Sequence, residues 1–213
     1  MKILNIRSFS EKLKIRPVNV SKLKDDVQMY FSPPTTKDEL INIIYIMMTY
    51  YGDDCDLNTI DVSKIQDFSE LFSGHGKIWK FNGDISRWNV SNATNMYGMF
   101  VSSPFNGDIS RWNVSKVKNM SCMFMFANFN RNLSKWDVSK TLTMESMFMN
   151  SNFNQNISDW NVSNVTNMEN MFNRSDFDQD ISGWNVSKVT NNRNMFYRCP
   201  LDRHPEKQPK FNF

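Results

Sequence analysis

WNVSNVTNMENMF, residues 160–172, is the stretch on which the reading of the chain turns, because the protein writes it five times. It stands as WNVSNATNMYGMF at 88–100, WNVSKVKNMSCMF at 112–124, WDVSKTLTMESMF at 136–148 and WNVSKVTNNRNMF at 184–196. The tryptophans Trp88, Trp112, Trp136, Trp160 and Trp184 are 24 residues apart throughout. With Trp as position 1, Val holds position 3, Ser position 4, Met position 12 and Phe position 13 in every copy. Position 9 is Met in four copies and Asn192 in the last; position 18 is Phe105, Phe129, Phe153, Phe177 and then Leu201. A degenerate copy, IDVSKIQDFSELF at 60–72, precedes them by 28 residues, the four extra residues falling within SGHGKIWK, 73–80. A fixed period of this length marks a repeat architecture, in which a unit that cannot bury its apolar face alone does so against its neighbours.

Within one unit, Trp160 and Val162 alternate with Asn161, as in a short strand. Ser163 then precedes Val165, Met168, Met171 and Phe172, which reads as an N-cap and two or three helical turns with one apolar face. A polar turn pinned by the position-18 Phe closes the unit. Strand, helix and return in 24 residues match the size of a leucine-rich repeat. The expected fold is therefore an α/β repeat solenoid: a leucine-rich-repeat-like, right-handed stack of short strands and short helices, with an N-terminal capping helix.

The ends complete this plan. Residues 1–35 read as a basic arm or lead, with seven Lys/Arg against three Asp/Glu in 1–30. Residues 36–59 read as a capping helix and entry: Thr36 and Glu39 have capping-box spacing, Leu40, Ile43, Ile44, Met47 and Met48 share a face, and Gly52 is a stop. Residues 60–201 hold the six repeats, the regular units starting at 88, 112, 136, 160 and 184, and 202–213 read as a polar C-terminal tail.

The chain of 213 residues has a net charge of +3, which demands no polyanionic partner. Cys55, Cys122 and Cys199 are an odd, widely spaced set without CxxC, which fits a reducing compartment rather than a disulfide framework. The longest apolar run, 40–51, falls short of the roughly 20 residues of a spanning helix, and the N-terminus lacks the apolar core of a signal peptide. His75 and His204 belong to no metal-ligating pattern, and SGHGK at 73–77 lacks the first glycine of a phosphate loop, with Leu71 in its place. Asp84, Asp108, Asn132, Asn156 and Asp180 share position 21, where turn-capping explains them better than a calcium ladder. The Met and Trp columns read as core at core spacing. No catalytic residue, metal site or cofactor is expected.

The pattern W-[ND]-V-S-x-V-x-x-M-x-x-M-F, carried by WNVSNVTNMENMFNRSDFDQDISGWNVS, resembles the repeat of BspA-like surface proteins. That repeat also occurs in mycoplasma proteins of unknown function and in large DNA viruses of protists. The resemblance covers residues 36–201 and implies a leucine-rich-repeat-like stack for adhesion or protein binding, without catalytic residues. Without the secretory leader and lipid-anchoring cysteine of surface members, the expectation is an intracellular or virion-associated, non-catalytic interaction or structural protein. An exported adhesin or surface-lattice protein is the alternative.

In such a stack the outward strand positions form the binding face. Position 2 supplies Asn89, Asn113, Asp137, Asn161 and Asn185, expected as an amide ladder along the sheet, and position 4 is all Ser. Position 24 varies from basic to acidic: Arg87, Arg111, Lys135, Asp159 and Gly183. These positions, with the 73–80 insertion, are the expected partner site; Met125, Phe126 and Met149 are a second candidate. The expected partner is another protein or a further copy of the chain. A nucleic acid is not expected, because the array has no basic groove with interleaved aromatics.

Overall fold

The computed structural model describes residues 32–212, so most of the basic lead lies outside the described residues. The elements among them are one α-helix, α1 (Lys37–Tyr51), and two 3-10 turns, Pro200–Arg203 and Pro205–Lys207. The repeat region contains neither strands nor helices. It is built from turns joined by isolated parallel bridges: Asp67 to Asn95, then Asn95 to Asn119, Asn119 to Thr143, Thr143 to Asn167 and Asn167 to Asn191. The expected α/β solenoid of short strands and short helices is therefore corrected: the rungs stack in register, but as coils of turns without a sheet.

The hydrogen bonds show why no helix forms at positions 5 to 13. The amides of Met168, Asn170, Phe172 and Arg174 donate to Asn191, Arg193, Met195 and Tyr197 of the following rung at 2.8–2.9 Å. The intervening amides close turns within the rung, from Met171 to the Met168 carbonyl, Asn173 to Asn170 and Ser175 to Phe172. A helix would need every amide for its own i−4 carbonyl. Asn170 and Arg174 also have φ of 55°, and the equivalents Cys122 and Phe126, Ser146 and Asn150, and Asn194 and Arg198 repeat this left-handed pair. Left-handed backbone costs a non-glycine residue roughly 1–2 kcal/mol, and it breaks a helix wherever it falls. Here two such residues per rung are held because they aim alternate amides at the next rung.

The strand is absent for a related reason. Trp160 donates its amide to the Ile157 carbonyl and Val165 to the Val162 carbonyl, so the Trp–Val segment is flanked by turns. Its side chains still alternate: Trp160 and Val162 are buried and Asn161 is exposed. No backbone ladder runs along it.

Stacking builds a continuous core. Phe72, Phe100, Phe124, Phe148, Phe172 and Phe196 form a ring column with centroids 5.6–6.2 Å apart and planes within 4–7°. Phe100, Phe124, Phe148 and Phe172 each meet the position-18 Phe of their own rung, at 4.0–4.5 Å. The indole N–H of each of the five repeat tryptophans is satisfied one rung back, as Trp136 Nε1 donates to the Ile109 carbonyl at 3.1 Å. The position-9 and position-12 methionines are buried beside them.

α1 closes the first rung with Leu40, Ile43, Ile44 and Met47. Thr36 caps it by accepting from the Glu39 amide, and Lys37 Nζ donates to the Ser69 carbonyl at 3.0 Å, an edge acceptor of that rung. At the other end, the segment read as a polar tail folds across the last rung. Leu201 is fully buried, the Ile181 amide donates to the Lys207 carbonyl, and Lys207 Nζ reaches Asp178 at 3.1 Å.

Candidate interaction surface

Each rung sends one narrow turn outward, and the expected partner residues lie on it. Arg87, Arg111, Lys135, Asp159 and Gly183 are exposed, one above another, as are Asn89, Asn113, Asp137, Asn161 and Asn185. The strip is not a sheet face. Nor do the position-2 amides form a ladder between rungs: Asn161 Oδ1 accepts the amide and hydroxyl of Ser163 in its own rung, at 3.2 and 2.7 Å, as Asn89 and Asn113 do with Ser91 and Ser115. These local Asx turns fix the backbone and leave the position-24 side chains as the variable groups. Arg87 stands 3.6 Å from Asp56, an exposed ion pair of small energetic consequence.

Position 21 behaves in the same way. Asp84, Asp108, Asn132, Asn156 and Asp180 each accept the amide of the Ser two residues on, at 2.8–2.9 Å. The Ser86 amide and then its hydroxyl hold the Asp84 carboxyl below its ordinary value, and Ser110 does so for Asp108.

The true inter-rung side-chain ladder is at position 19. Asn82, Asn106, Asn130 and Asn154 accept the amides of Asn106, Asn130, Asn154 and Asp178, each 24 residues on, at 3.0–3.1 Å. Its signal in the sequence was the Phe-Asn pair recurring at 81–82, 105–106, 129–130 and 153–154, closing as Phe-Asp at 177–178.

The 73–80 insertion is half core and half surface. Ile78 is buried, while Trp79 is 45% exposed beside Lys80. Lys77 Nζ lies 4.0 Å from the centre of the Tyr45 ring on α1, so insertion and helix share an aromatic and basic patch. Of the second candidate set, Phe126 is exposed and Met125 and Met149 are half-buried.

The ionisable groups bear on chemistry. Burial pushes the Cys55 and Cys199 thiols up to about 11, far from thiolate reactivity. His75 follows the first rung, whereas His204 follows the last and faces Asp178 and Glu206 at 3.9 and 3.2 Å. Among the described residues no three His, Cys, Asp or Glu side chains are placed to hold a metal ion, and no helix is long and apolar enough to cross a membrane. Two open grooves have volumes of about 300 and 330 Å³, the larger lined by Asn156, Ser158, Gln179, Asp180, Ser182 and Gly183 beside the outer strip.

Fold and surface together define a class: a repeat protein of stacked turns with a buried aromatic core and a ladder of outer turns closed by Asx hydrogen bonds. The family model described as "Mycoplasma protein of unknown function, DUF285" matches residues 46–152 and 125–201, and the chain belongs to that family. No curated protein and no solved structure matches it.

Proposed function

We propose that the protein is a non-catalytic interaction or structural module, of the BspA-like kind, that binds another protein through its outer strip. The observation that carries this reading is the split between constant and variable positions. The core positions and the Asx-turn positions repeat almost unchanged, whereas position 24 runs Arg87, Arg111, Lys135, Asp159, Gly183 on a rigid, exposed edge. A backbone held by local turns presents such side chains at little ordering cost, which is how a repeat scaffold acquires specificity. Three free cysteines fit an intracellular or virion setting.

The test is a pull-down from the native source with the intact protein and with Arg87→Glu, Arg111→Glu, Asp159→Lys. A protein partner captured by the first and lost by the second supports the strip. Equal capture by both removes the site from the strip and leaves the patch of Tyr45, Lys77 and Trp79.

A further inference from the structure

The seams between rungs are polar in one direction over part of their length. Along positions 9 to 15, amides of one rung donate to carbonyls of the next, whereas at positions 7 and 8 the amides donate back, so over positions 9 to 15 the last rung has carbonyls that are used and amides that are not. The amides of Asn192, Asn194, Phe196 and Arg198 occupy the donor positions of that final edge, and none finds an acceptor among the described residues. Such an edge cannot pair with a second copy of itself, because donors would face donors. An ordinary β-strand, which presents amides and carbonyls alternately, satisfies only half of it. Its complement is a group that accepts without donating, such as a carboxylate.

The edge opens into the groove of about 300 Å³, whose apolar walls are Met195, Phe196, the exposed Tyr197 and the half-buried Phe211, with the Asp202 carboxylate also in its lining. Phe196 stacks on Phe172 at 6.2 Å, and every earlier Phe of the column from Phe100 onward has a ring on both sides. Charge reinforces the pattern. Residues 184–212 carry six Lys/Arg against two Asp/Glu, with Arg193 and Arg198 exposed on the edge itself. Residues 32–72, at the opposite end, carry eight Asp/Glu against two Lys/Arg. There the chain leaves α1 as YYGDD, residues 50–54, all exposed. Tyr50 is 53% exposed, and the Asp53 and Asp54 carboxylates make no hydrogen bond or ion pair among the described residues.

We propose that this donor-only edge and its groove receive the 50–54 loop of a second copy of the chain. Tyr50 packs on the exposed Tyr197 ring and the half-buried Phe211, and Asp53 and Asp54 accept from the edge amides and pair with Arg193 and Arg198. Because loop and groove lie at opposite ends of the stack, the contact is heterologous and copies join head to tail in an open row. The surface is separate from the outer strip, so either reading can fail without the other.

The experiment is sedimentation of the full chain over a concentration series at low and high salt. Concentration-dependent association that weakens with salt is expected. Two variants, Asp53→Lys/Asp54→Lys and Arg193→Glu/Arg198→Glu, alter exposed residues and should melt close to wild type. Each alone should be monomeric. Mixed, they should form dimers and nothing larger: the wild-type loop of the Arg variant docks the wild-type groove of the Asp variant, and the altered loop, having no carboxylate, cannot accept from the edge amides. The mixture is therefore decisive, and the expected result is that dimer. A wild-type chain that stays monomeric up to millimolar concentration overturns the proposal. So does association that persists in both single-end variants, or a mixture that yields no dimer.

Discussion

Trp136 shows what one residue contributes to the stack. It is buried in the middle of the array, and its indole N–H is satisfied only by the preceding rung. Trp136→Ala should destabilise the protein by roughly 3–5 kcal/mol in urea unfolding, since it leaves a cavity and removes one of the two hydrogen bonds that the Ile109 carbonyl accepts, the Trp112 amide keeping the other. The left-handed positions make a second prediction. Phe126 has φ of 58° and is 53% exposed, so Phe126→Gly should raise the melting temperature by relieving about 1 kcal/mol of strain, and Phe126→Val should lower it. Equal effects of the two would mean that side-chain packing, not backbone, governs the site. The Asx turns make a third. Asp84 and Asp108 are held below their ordinary 3.8 in the folded state, so the stability they add is present above that value and is lost as the pH falls through the lower folded value. Urea midpoints should therefore drop below about pH 4, and Asp84→Asn with Asp108→Asn should reduce the drop, since Asn132 and Asn156 already make the same turn.

At the scale of the element, α1 was the part with local signals strong enough to read. The Thr36 and Glu39 spacing, one apolar face and Gly52 describe a helix that needs no partner to be recognised, and α1 runs Lys37–Tyr51. The repeat segments deceived for a definite reason. The spacing of Val165, Met168, Met171 and Phe172 buries one side of a helix, but it also buries one side of a coil whose residues at positions 11 and 15 are left-handed. Side-chain periodicity reports which residues face inward and not where the amides go. Gly83 gives the element-scale prediction. A Cβ there would stand 2.0 Å from the Cys55 carbonyl, where the entry to the array runs against the segment that follows the insertion. Gly83→Ala should cost at least about 1–3 kcal/mol, whereas Gly183→Ala, with nothing within 4 Å, should leave the melting temperature almost unmoved.

For the whole molecule, the core is one column from α1 to Leu201, so it should open from its ends inward. The thiols report this: Cys55 near the first rung and Cys199 near the last are both buried and pushed up to about 11. Thiol-reactive dye should label neither in the native protein, and labelling should follow end opening, so that loosening the C-terminal fold-back with Leu201→Ala speeds Cys199 more than Cys55. The strip was legible in the sequence, since positions 24 and 2 flank an invariant Trp and had to face outward; the position-19 ladder was equally visible as a recurring Phe-Asn pair and was overlooked. By itself the sequence determined the 24-residue period, the identity of the buried columns, the helix at the start and the register in which rungs meet, because apolar side chains repeated at one interval can be buried only against their own copies. Only the tertiary structure decided that the rungs are turns rather than strands and helices. It also decided that the C-terminal segment closes the last rung and that positions 9 to 15 of the final edge are left with donors alone. Those outcomes depend on which backbone group each amide finds in the next rung, and a row of side chains carries no record of that.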